Sequence, residues 1–325
     1  MKLLIIGNGF AGTQAAQTVR KLDNTADITI LDQETSLFYG RPRLIDYLAG
    51  TVSLSQLIVF QQEWYQQNNM TVILNNLVDS LDPINRMVKT DKGEYGYNKL
   101  LLAVGAEPNR PPIKGSDQQG IVTLRTMEHA EIIKKTADEK KDICIIGGGL
   151  LGLETAGSLA GKDRHVTVIE IGQTLLSKQL DAEKGRHLQS LLENRGITFH
   201  LGQVCNEIIK ENDKLKIITQ SGVVITTGMI VISAGVSARI GLAEKAGLKT
   251  AKGIIVNEYL QTSDPNIYAA GDCIEFQGQV WGWVKSASEQ GVLAGRNMVL
   301  NNTEKFEGSK VDVILKVRDI DLKTL

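Results

Sequence analysis

Apolar runs alternate with stretches of helical periodicity along most of the chain. Six runs carry few polar positions and are typical of buried parallel strands, namely residues 2–6, 28–32, 99–106, 143–146, 166–170 and 230–235. Helical segments follow the first and fourth runs, at 13–21 and 153–161, and residues 181–195 have the pattern of an amphipathic helix. This alternation predicts an α/β fold with parallel sheets.

Two β-rich stretches and two linkers separate these runs. The first stretch has strand patterns at 70–74, 77–82 and 87–90 before a turn at 91–94, and the second covers 197–232. Pro108, Pro111 and Pro112 indicate a linker, and a second linker lies near 236–247. Because 325 residues exceed what one hydrophobic core usually serves, we expect two domains.

A unit of strand, glycine loop, helix and strand occurs twice. Each copy ends in an acidic residue about 20 residues after its last glycine, which is the spacing of dinucleotide-binding units. The residues are Gly7, Gly9, Gly12 and Asp32 in the first copy, and Gly147, Gly149, Gly152 and Glu170 in the second. The first glycine permits a tight turn, the second lets the backbone approach a pyrophosphate, and the third lets the helix pack on the strand, while the acid accepts ribose hydrogen bonds. Two dinucleotide sites are therefore predicted.

The second acid bears on the choice of nicotinamide cofactor. Glu170 would repel a 2′-phosphate, and the next residues, 171–173, supply no positive charge. The second site is therefore predicted to prefer NADH over NADPH.

Composition argues against several other classes of protein. The formal net charge of −1 gives no electrostatic case for nucleic acid or for an anionic membrane. No apolar stretch approaches the roughly 20 residues that span a bilayer, and the glycine loop after Ile6 interrupts any signal-peptide core. The 3 cysteines and 4 histidines lack metal-ligand spacing, so no metal site is expected. We expect a cytoplasmic protein, either a monomer or a dimer.

Four motifs together resemble one known family. GNGFAG at 7–12, LLLAVGAEP at 100–108, GGGLLGLE at 147–154 and TSDPNIYAAGD at 262–272 occur in the order typical of pyridine nucleotide–disulfide oxidoreductases and their ferredoxin and rubredoxin reductase relatives. The resemblance implies two Rossmann-like dinucleotide-binding domains. The FAD domain would comprise 1–110 and 242–308, with an NAD domain inserted at 111–241. Residues 309–325 would begin a truncated or very short C-terminal interface domain.

The resemblance also implies roles for individual residues in FAD binding. The residues that would contact FAD are Gly7, Gly9, Gly12, Asp32, Val78, Gly105, Gly271 and Asp272. Within this set, the Val78 backbone would meet the adenine, and Asp272 would bond the ribityl chain of the flavin. A helix from about 287–291 would direct its N-terminus at the flavin, where its dipole favours negative charge.

A second set of residues is implied for the nicotinamide site. It comprises Gly147, Gly149, Gly152, Glu170 and Gly235, the last of which ends a strand as Gly105 does. Glu154 resembles a family glutamate near the flavin–nicotinamide junction and is the one catalytic candidate.

The chain departs from the disulfide-reducing members in one respect that matters for its chemistry. Those members carry redox-active cysteine soon after the first acid, whereas residues 36–44 contain none and the first cysteine is Cys144. A thiol relay at the flavin is therefore not expected. Residues 39–44, YGRPRL, instead resemble NADH:rubredoxin reductases and the flavoprotein part of nitrite reductases. Arg41 or Arg43 would then face FAD, the alternative being an exposed turn.

The C-terminus is shorter than the family pattern. Residues 311–317 have the pattern of the first strand of a third domain, and the sequence stops at Leu325. The protein is therefore either short or a piece of a longer one.

The activity implied by the resemblance is that of an FAD-dependent NADH oxidoreductase. Hydride would pass from NADH to the flavin, and electrons would then pass to a small carrier such as rubredoxin or to a partner redox subunit. Two alternatives remain open at this point. One is a flavoprotein redox-sensing or binding module with slow turnover, and the other is the electron-transfer subunit of a nitrite-reductase-type complex.

Overall fold

The computed structural model describes residues 1–161 and 163–310, together with Leu315, Val317, Ile320 and Leu322. The strands over these residues are β1 Lys2–Ile6, β2 Asp27–Leu31, β3 Met70–Ile73, β4 Val78–Asp82, β5 Met87–Thr90, β6 Gly93–Gly96, β7 Lys99–Leu102, β8 Ala106–Pro108, β9 Ile121–Thr123, β10 Asp142–Ile146, β11 His165–Glu170, β12 Ile197–Leu201, β13 Cys205–Glu211, β14 Lys214–Thr219, β15 Val224–Thr227, β16 Met229–Ile232, β17 Val236–Ala238, β18 Ile254–Ile255, β19 Ile267–Ala269 and β20 Ile274–Glu275. The α-helices are α1 Phe10–Leu22, α2 Leu44–Leu48, α3 Gln62–Gln67, α4 Met127–Lys140, α5 Leu150–Leu159, α6 Ala182–Glu193, α7 Gly241–Lys245 and α8 Val284–Leu300, with short 3₁₀ turns at Arg41–Arg43 and Ser55–Leu57.

The first of two compact units comprises Met1–Gly40, Ile58–Glu107 and the described residues of Ser237–Asp312. Its five parallel strands lie in the order β3–β2–β1–β7–β19. In the central strand, Ile5 pairs with Ile30 on one side and with Leu101 on the other, and all three side chains are fully buried. Burial of the sheet explains why these strands are apolar almost throughout.

The second unit comprises Arg41–Leu57, Pro108–Val236 and the described residues of Val313–Leu325. Its parallel sheet has the order β12–β11–β10–β16–β9, and β13, β14 and β15 form a separate antiparallel sheet. Ile145 of the central strand pairs with Val168 and Val231. Each unit therefore has its own five-stranded core, as expected for two folding domains.

The two parallel sheets are alike, but the chain builds them in a different order. In the first unit the edge strand β19 and the helix that follows it, α8, come last in the sequence. In the second unit the corresponding edge strand and helix, β9 and α4, precede the other four strands of the sheet. In both units a three-stranded antiparallel sheet precedes the strand beside the central one, β7 or β16. The repeat thus extends well beyond the glycine loops.

Helices α1 and α8 of the first unit pack at backbone distance. A Cβ atom on Gly291 would lie 2.3 Å from the carbonyl oxygen of Ala11, and one on Gly295 would lie 2.9 Å from that of Ala15. Both alanines are buried on α1. Small residues on both helices therefore fix α8 against the helix that begins at the first glycine loop.

The predicted α/β fold with parallel sheets is confirmed, and several details differ from the prediction. Helix α8 begins at Val284, before the expected start near 287, and strand β6 forms at Gly93–Gly96, where only a turn was expected. Strand β9 was not predicted, because a three-residue strand carries almost no periodicity. Helix α4 was not predicted either. The predicted strand at 311–317 lies largely outside the described residues.

Residues 41–57 belong to the second unit, although the predicted FAD domain included them. The reason is the docking of the short helix α2 on α4. Lys134 Nζ donates a hydrogen bond to the Tyr47 carbonyl at 2.9 Å and lies 4.1 Å from the centre of the Tyr47 ring. These contacts join residues that are 87 apart in the sequence. The position of residues 41–57 in the sequence therefore does not predict the unit to which they belong.

Replacement of Gly291 by alanine tests the packing of α8. The added Cβ would meet the Ala11 carbonyl, so we expect Gly291→Ala to lower the free energy of unfolding of the first unit by about 1–3 kcal/mol or more. Urea unfolding followed by tryptophan fluorescence measures this, since Trp64, Trp281 and Trp283 all lie in the first unit. Gly282→Ala is the control, because its Cβ meets nothing within 4 Å. Equal midpoints for both variants would contradict the packing.

Candidate functional site

The first and third glycines of the first loop are required by the fold itself. Gly7 has φ +108°, and a Cβ atom on it would lie 2.2 Å from the carbonyl oxygen of Ala103, just after β7. A Cβ on Gly12 would lie 2.0 Å from the Gly7 carbonyl oxygen. Larger residues at either position would push the loop, helix α1 and the neighbouring strand apart.

The second glycine, Gly9, differs from the other two. A Cβ atom here would meet nothing within 4 Å, so the protein itself does not require glycine. Gly9 caps helix α1 without any side-chain hydrogen bond, whereas Thr126 and Asp181 cap α4 and α6 with theirs. The peptide N–H groups in the first turn of α1 are thus left without a capping side chain, and the space above them suits an anion such as a pyrophosphate.

The second loop repeats this geometry. Gly147 has φ +113°, and its Cβ would lie 2.2 Å from the Ser233 carbonyl oxygen, while a Cβ on Gly152 would lie 2.0 Å from the Gly147 carbonyl oxygen. Gly149 again faces open space and caps α5 with no side-chain bond. Both loops therefore fit the phosphates of a dinucleotide.

The acid at the end of β2 is tied to the first loop. Asp32 Oδ2 accepts a hydrogen bond from the backbone N–H of Asn8 at 2.5 Å, and Oδ1 accepts one from the N–H of Glu34 at 2.8 Å. Asn8 is the residue between the first two glycines. The carboxylate is therefore held at the end of the strand, beside the space above the loop.

Glu170 makes the matching contacts in the second unit. Its Oε2 accepts from the N–H of Gly148 at 2.6 Å, and its Oε1 accepts from the N–H of Gly172 at 2.7 Å. The partners occupy the same relative positions as Asn8 and Glu34. Carboxylate oxygens have more than one acceptor site each, so a carboxylate at this position is a group that ribose hydroxyls can bind.

The first loop has a buried side-chain brace that the sequence did not predict. Asn8 is 4% exposed; its Nδ2 donates to the Tyr65 hydroxyl at 3.0 Å, and its Oδ1 accepts from the Thr13 hydroxyl at 3.2 Å. Burial raises the pKa of Tyr65, which stays a neutral hydroxyl. The second loop has Gly148 at this position and lacks any such side chain.

Two more predicted glycines follow the strands β7 and β16. Gly105 has φ +69° and Gly235 has φ +82°. The Gly105 carbonyl accepts a hydrogen bond from the backbone N–H of Arg239 at 3.0 Å, and that of Gly235 accepts one from Asn109 at 2.9 Å. Each glycine thus turns the chain away from the same sheet edge that carries the glycine loop.

Gly271 and Asp272 lie at the end of β19. The N–H of Gly271 donates to Gln290 Oε1 at 2.7 Å, and Gln290 Nε2 donates to the Ser286 hydroxyl at 2.9 Å. Gln290 and Ser286 are fully buried on α8. This pair ties the Gly271 peptide to the first turns of α8, with Asp272 half-buried next to it. The contact joins residues 19 apart, and no local pattern predicts it.

The remaining predicted residues are spread over both units. Val78 begins β4 and is half-buried, and Glu154 is half-buried on α5, shortly after the second glycine loop. Arg41 lies in a 3₁₀ turn, and its guanidinium donates to the carbonyl of Arg125 within the second unit. Contacts of these residues with a cofactor remain predictions.

The cysteines lie in environments that disfavour thiolates. Burial raises the pKa of Cys205 to about 11 and that of Cys273 to about 12, and it raises the pKa of Cys144 well above its ordinary value. Across the part of the chain that the structure describes, no group of three or more histidine, cysteine or acidic side chains is arranged to hold a metal ion.

Comparison with known proteins identifies the family. The sequence model that describes the family of pyridine nucleotide-disulphide oxidoreductases matches residues 1–291 of this chain. The chain belongs to this family. This confirms the predicted family and supports FAD and NAD as its cofactors.

Individual relatives add detail. The assimilatory nitrate reductase electron transfer subunit of Bacillus subtilis (strain 168) is 35% identical over 323 residues, which is 99% of this chain but only 42% of that protein. The NADH-rubredoxin oxidoreductase of Clostridium acetobutylicum is 31% identical over 297 residues, covering 91% of this chain and 74% of that one. The chain thus spans less than half the length of the first relative.

A solved structure gives the same result for the fold. An NAD-dependent persulfide reductase from A. fulgidus superposes with a TM-score of 0.93 at 30% identity, over 98% of this chain and 63% of that one. The predicted pair of Rossmann-like domains is thereby confirmed.

Gly9→Ala tests whether the open space above the first loop is a ligand site. The new methyl group should not disturb the apoprotein, whose urea midpoint we expect within about 0.5 kcal/mol of the wild type. It would occupy the space of the pyrophosphate, so the FAD dissociation constant should rise about tenfold or more. Titration of apoprotein with FAD measures this.

The matched control is Gly12→Ala. Its Cβ would meet the Gly7 carbonyl oxygen at 2.0 Å, so it should lower the stability of the apoprotein itself. Wild-type FAD affinity in Gly9→Ala would show that the space above the loop is not the ligand site.

Proposed function

We propose that the chain is an FAD-dependent NADH oxidoreductase that delivers electrons to a small carrier protein of the rubredoxin type or to a partner redox subunit. The observation that carries this proposal is the pair of glycine loops, each closed by a carboxylate and each with an open second glycine. FAD, when bound, accepts hydride at its flavin and can return electrons one at a time.

The first unit is the proposed FAD domain. Its loop is braced by the buried Asn8–Tyr65 pair, which suits a cofactor that stays bound. Asp32 would hold the adenosine ribose, and Gly105 and Gly271 end strands of the same sheet. Helix α8, anchored through Gln290, would place its N-terminal dipole near the pyrimidine edge of the flavin, where it favours negative charge.

The second unit is the proposed NADH domain. Glu170 lies between two peptide N–H donors at the end of β11, and its charge disfavours the 2′-phosphate of NADPH. The neutral residues 171–173 give that phosphate no cation. Glu154 is proposed to lie at the flavin–nicotinamide junction, as the family resemblance implies.

We further propose that no cysteine takes part in electron transfer. Residues 36–44 contain no cysteine, and the three thiols of the chain are unpaired and have raised pKa values. Thiols that remain protonated at neutral pH are poor nucleophiles. An acceptor that takes electrons directly from the flavin fits this arrangement.

The names of the relatives support two kinds of acceptor. The C. acetobutylicum relative is an NADH-rubredoxin oxidoreductase, and the B. subtilis relative is an electron transfer subunit of nitrate reductase. We propose a carrier protein first, and a catalytic partner subunit as the second candidate, which the similarity to the B. subtilis protein favours.

A cytoplasmic location is also proposed. The unpaired thiols support it, since disulfides are rare in reducing compartments. No helix in the described part of the chain has the length and apolar character needed to cross a membrane.

Anaerobic mixing with NADH tests the proposed function. The purified protein should be yellow, and NADH should bleach its flavin absorbance rapidly, followed by reoxidation on addition of rubredoxin. Stopped-flow absorbance measures both steps, with NADPH compared in parallel. Alkylation with iodoacetamide is the control and should leave both rates unchanged. Protein that neither nicotinamide bleaches would refute the proposal, and loss of the rubredoxin step alone on alkylation would refute the thiol-free path.

Glu170→Arg tests the ribose site. We expect KM for NADH to rise about tenfold or more through loss of the charged acceptor, while KM for NADPH falls because the guanidinium can pair with the 2′-phosphate. Steady-state kinetics with both cofactors measure this. Glu139→Arg makes the same charge change on the exposed end of α4 and should alter neither value. If both cofactors weaken equally, Glu170 acts only on loop structure.

A further inference from the structure

Gln290 connects the loop after strand β19 to the first turn of helix α8, within the first unit. Its Oε1 accepts a hydrogen bond from the Gly271 N–H at 2.7 Å, and its Nε2 donates one to the Ser286 hydroxyl at 2.9 Å. Gln290 and Ser286 are fully buried. Because an amide offers an acceptor at one atom and donors at the other, the two bonds hold this side chain in one orientation. The bridge formed by Gly271, Gln290 and Ser286 is therefore shielded from water.

Gly271 has little freedom to find another partner. Its φ is +90°, and a Cβ atom on it would lie 3.1 Å from the Cβ of Ala11 and 3.9 Å from that of Ala287. These alanines belong to the first turns of α1 and α8. Among the residues that the structure describes, Gln290 is the acceptor for the Gly271 N–H. Loss of the Gln290 amide would leave this buried peptide group unpaired, which is costly unless the segment moves.

The first turn of α8 is the part of the helix that the bridge positions. This turn carries the partial positive charge of the helix dipole, its N-cap residue Trp283 makes no side-chain hydrogen bond, and no acidic residue lies in it. The effect of the dipole on a nearby charge falls off within about one turn of the helix. A small change in the distance between this turn and a negative charge therefore changes the strength of their interaction.

We propose that Gln290 is a positioning residue for the flavin, and that it sets the midpoint potential of the flavin by fixing the first turn of α8 relative to Asp272. The inference rests on the proposed function, in which Asp272 bonds the ribityl chain of FAD. Asp272 directly follows Gly271. The bridge therefore joins the residue that would hold the flavin to the helix end that would stabilise negative charge on it. Gln290 is fully buried and acts through this bridge, without touching the cofactor.

Gln290→Met tests this role, because methionine is close to glutamine in volume but offers no strong hydrogen bond to Gly271 or Ser286. Without the bridge, the first turn of α8 is released from Asp272, so the reduced flavin should lose stabilisation. We expect the equilibrium constant for reduction of the bound flavin to fall about threefold to tenfold. Anaerobic titration against a reference dye of known potential measures this constant without any turnover. Ser286→Ala, which removes one end of the bridge, should lower the constant by a smaller factor.

Asn297→Leu is the matched control. Asn297 is also fully buried on α8, where its Nδ2 donates to the carbonyls of Tyr259 and Glu304 at 3.0 and 2.8 Å, and its Oδ1 accepts from the Glu304 N–H at 3.0 Å. It lies about two turns after Gln290, roughly 10 Å further along the helix. Its loss should lower the urea midpoint of the apoprotein at least as much as Gln290→Met does. The equilibrium constant for flavin reduction should nevertheless equal that of the wild type.

The outcomes separate this inference from the function on which it rests. An unchanged equilibrium constant in Gln290→Met would overturn the positioning role and leave the proposed flavoprotein function intact. Equal shifts in Gln290→Met and Asn297→Leu would also overturn it, because the potential would then follow the stability of the helix in general. If Gln290→Met does not fold, Ser286→Ala decides by the same titration, and an unchanged constant there overturns the role. Failure of the wild-type protein to bind FAD would instead overturn the proposed function, and the inference with it.

Discussion

In each unit a carboxylate at the end of one strand accepts a hydrogen bond from a peptide in the glycine loop of the neighbouring strand. The distances are 2.5 Å from the Asn8 N–H to Asp32 and 2.6 Å from the Gly148 N–H to Glu170. On its other side, the loop abuts a backbone carbonyl after a third strand, which leaves no room for a side chain on Gly7 or Gly147. The loop is therefore fixed by three parallel strands at once, and the helix that begins there inherits its direction from them.

The two sheets meet this requirement with different chain orders. The edge of the first sheet is completed by β19 and α8 from the end of the chain, and that of the second by β9 and α4, which precede its glycine loop. The first unit is therefore discontinuous in sequence. Most of the second unit lies in the sequence between strands β7 and β19 of the first. Close backbone packing at Gly291 and Gly295 holds the late helix α8 against α1. Loop geometry depends on strand neighbours in space and not on the order in which the chain supplies them.

Local constraints could be predicted from the sequence, whereas contacts between distant segments could not. The glycines and acids of both loops form a pattern because strand, turn, helix and strand follow each other directly, and each position has one steric or hydrogen-bonding demand. Tyr65 lies 57 residues from its partner Asn8, and Lys134 lies 87 from Tyr47. Pairs this far apart leave no periodic pattern in the sequence. The structure was therefore needed to find the Asn8–Tyr65 contact in the first loop and to show that residues 41–57 belong to the second unit.

The brace is also what distinguishes two loops that otherwise match. The Asn8 side chain hydrogen-bonds the Tyr65 and Thr13 hydroxyls, so the first loop is held by side chains as well as by backbone. At Gly148 a side chain would crowd Glu170, whose Cβ would lie 3.1 Å away, and this residue contributes only its peptide N–H, which donates to the Glu170 carboxylate. When a loop is already ordered before its ligand binds, less binding free energy is lost in ordering it, and the complex is tighter and dissociates more slowly. The firmer loop therefore supports the proposal that the first unit holds the flavin nucleotide, and the less constrained loop supports the proposal that the second unit binds a nicotinamide nucleotide that leaves after each turnover.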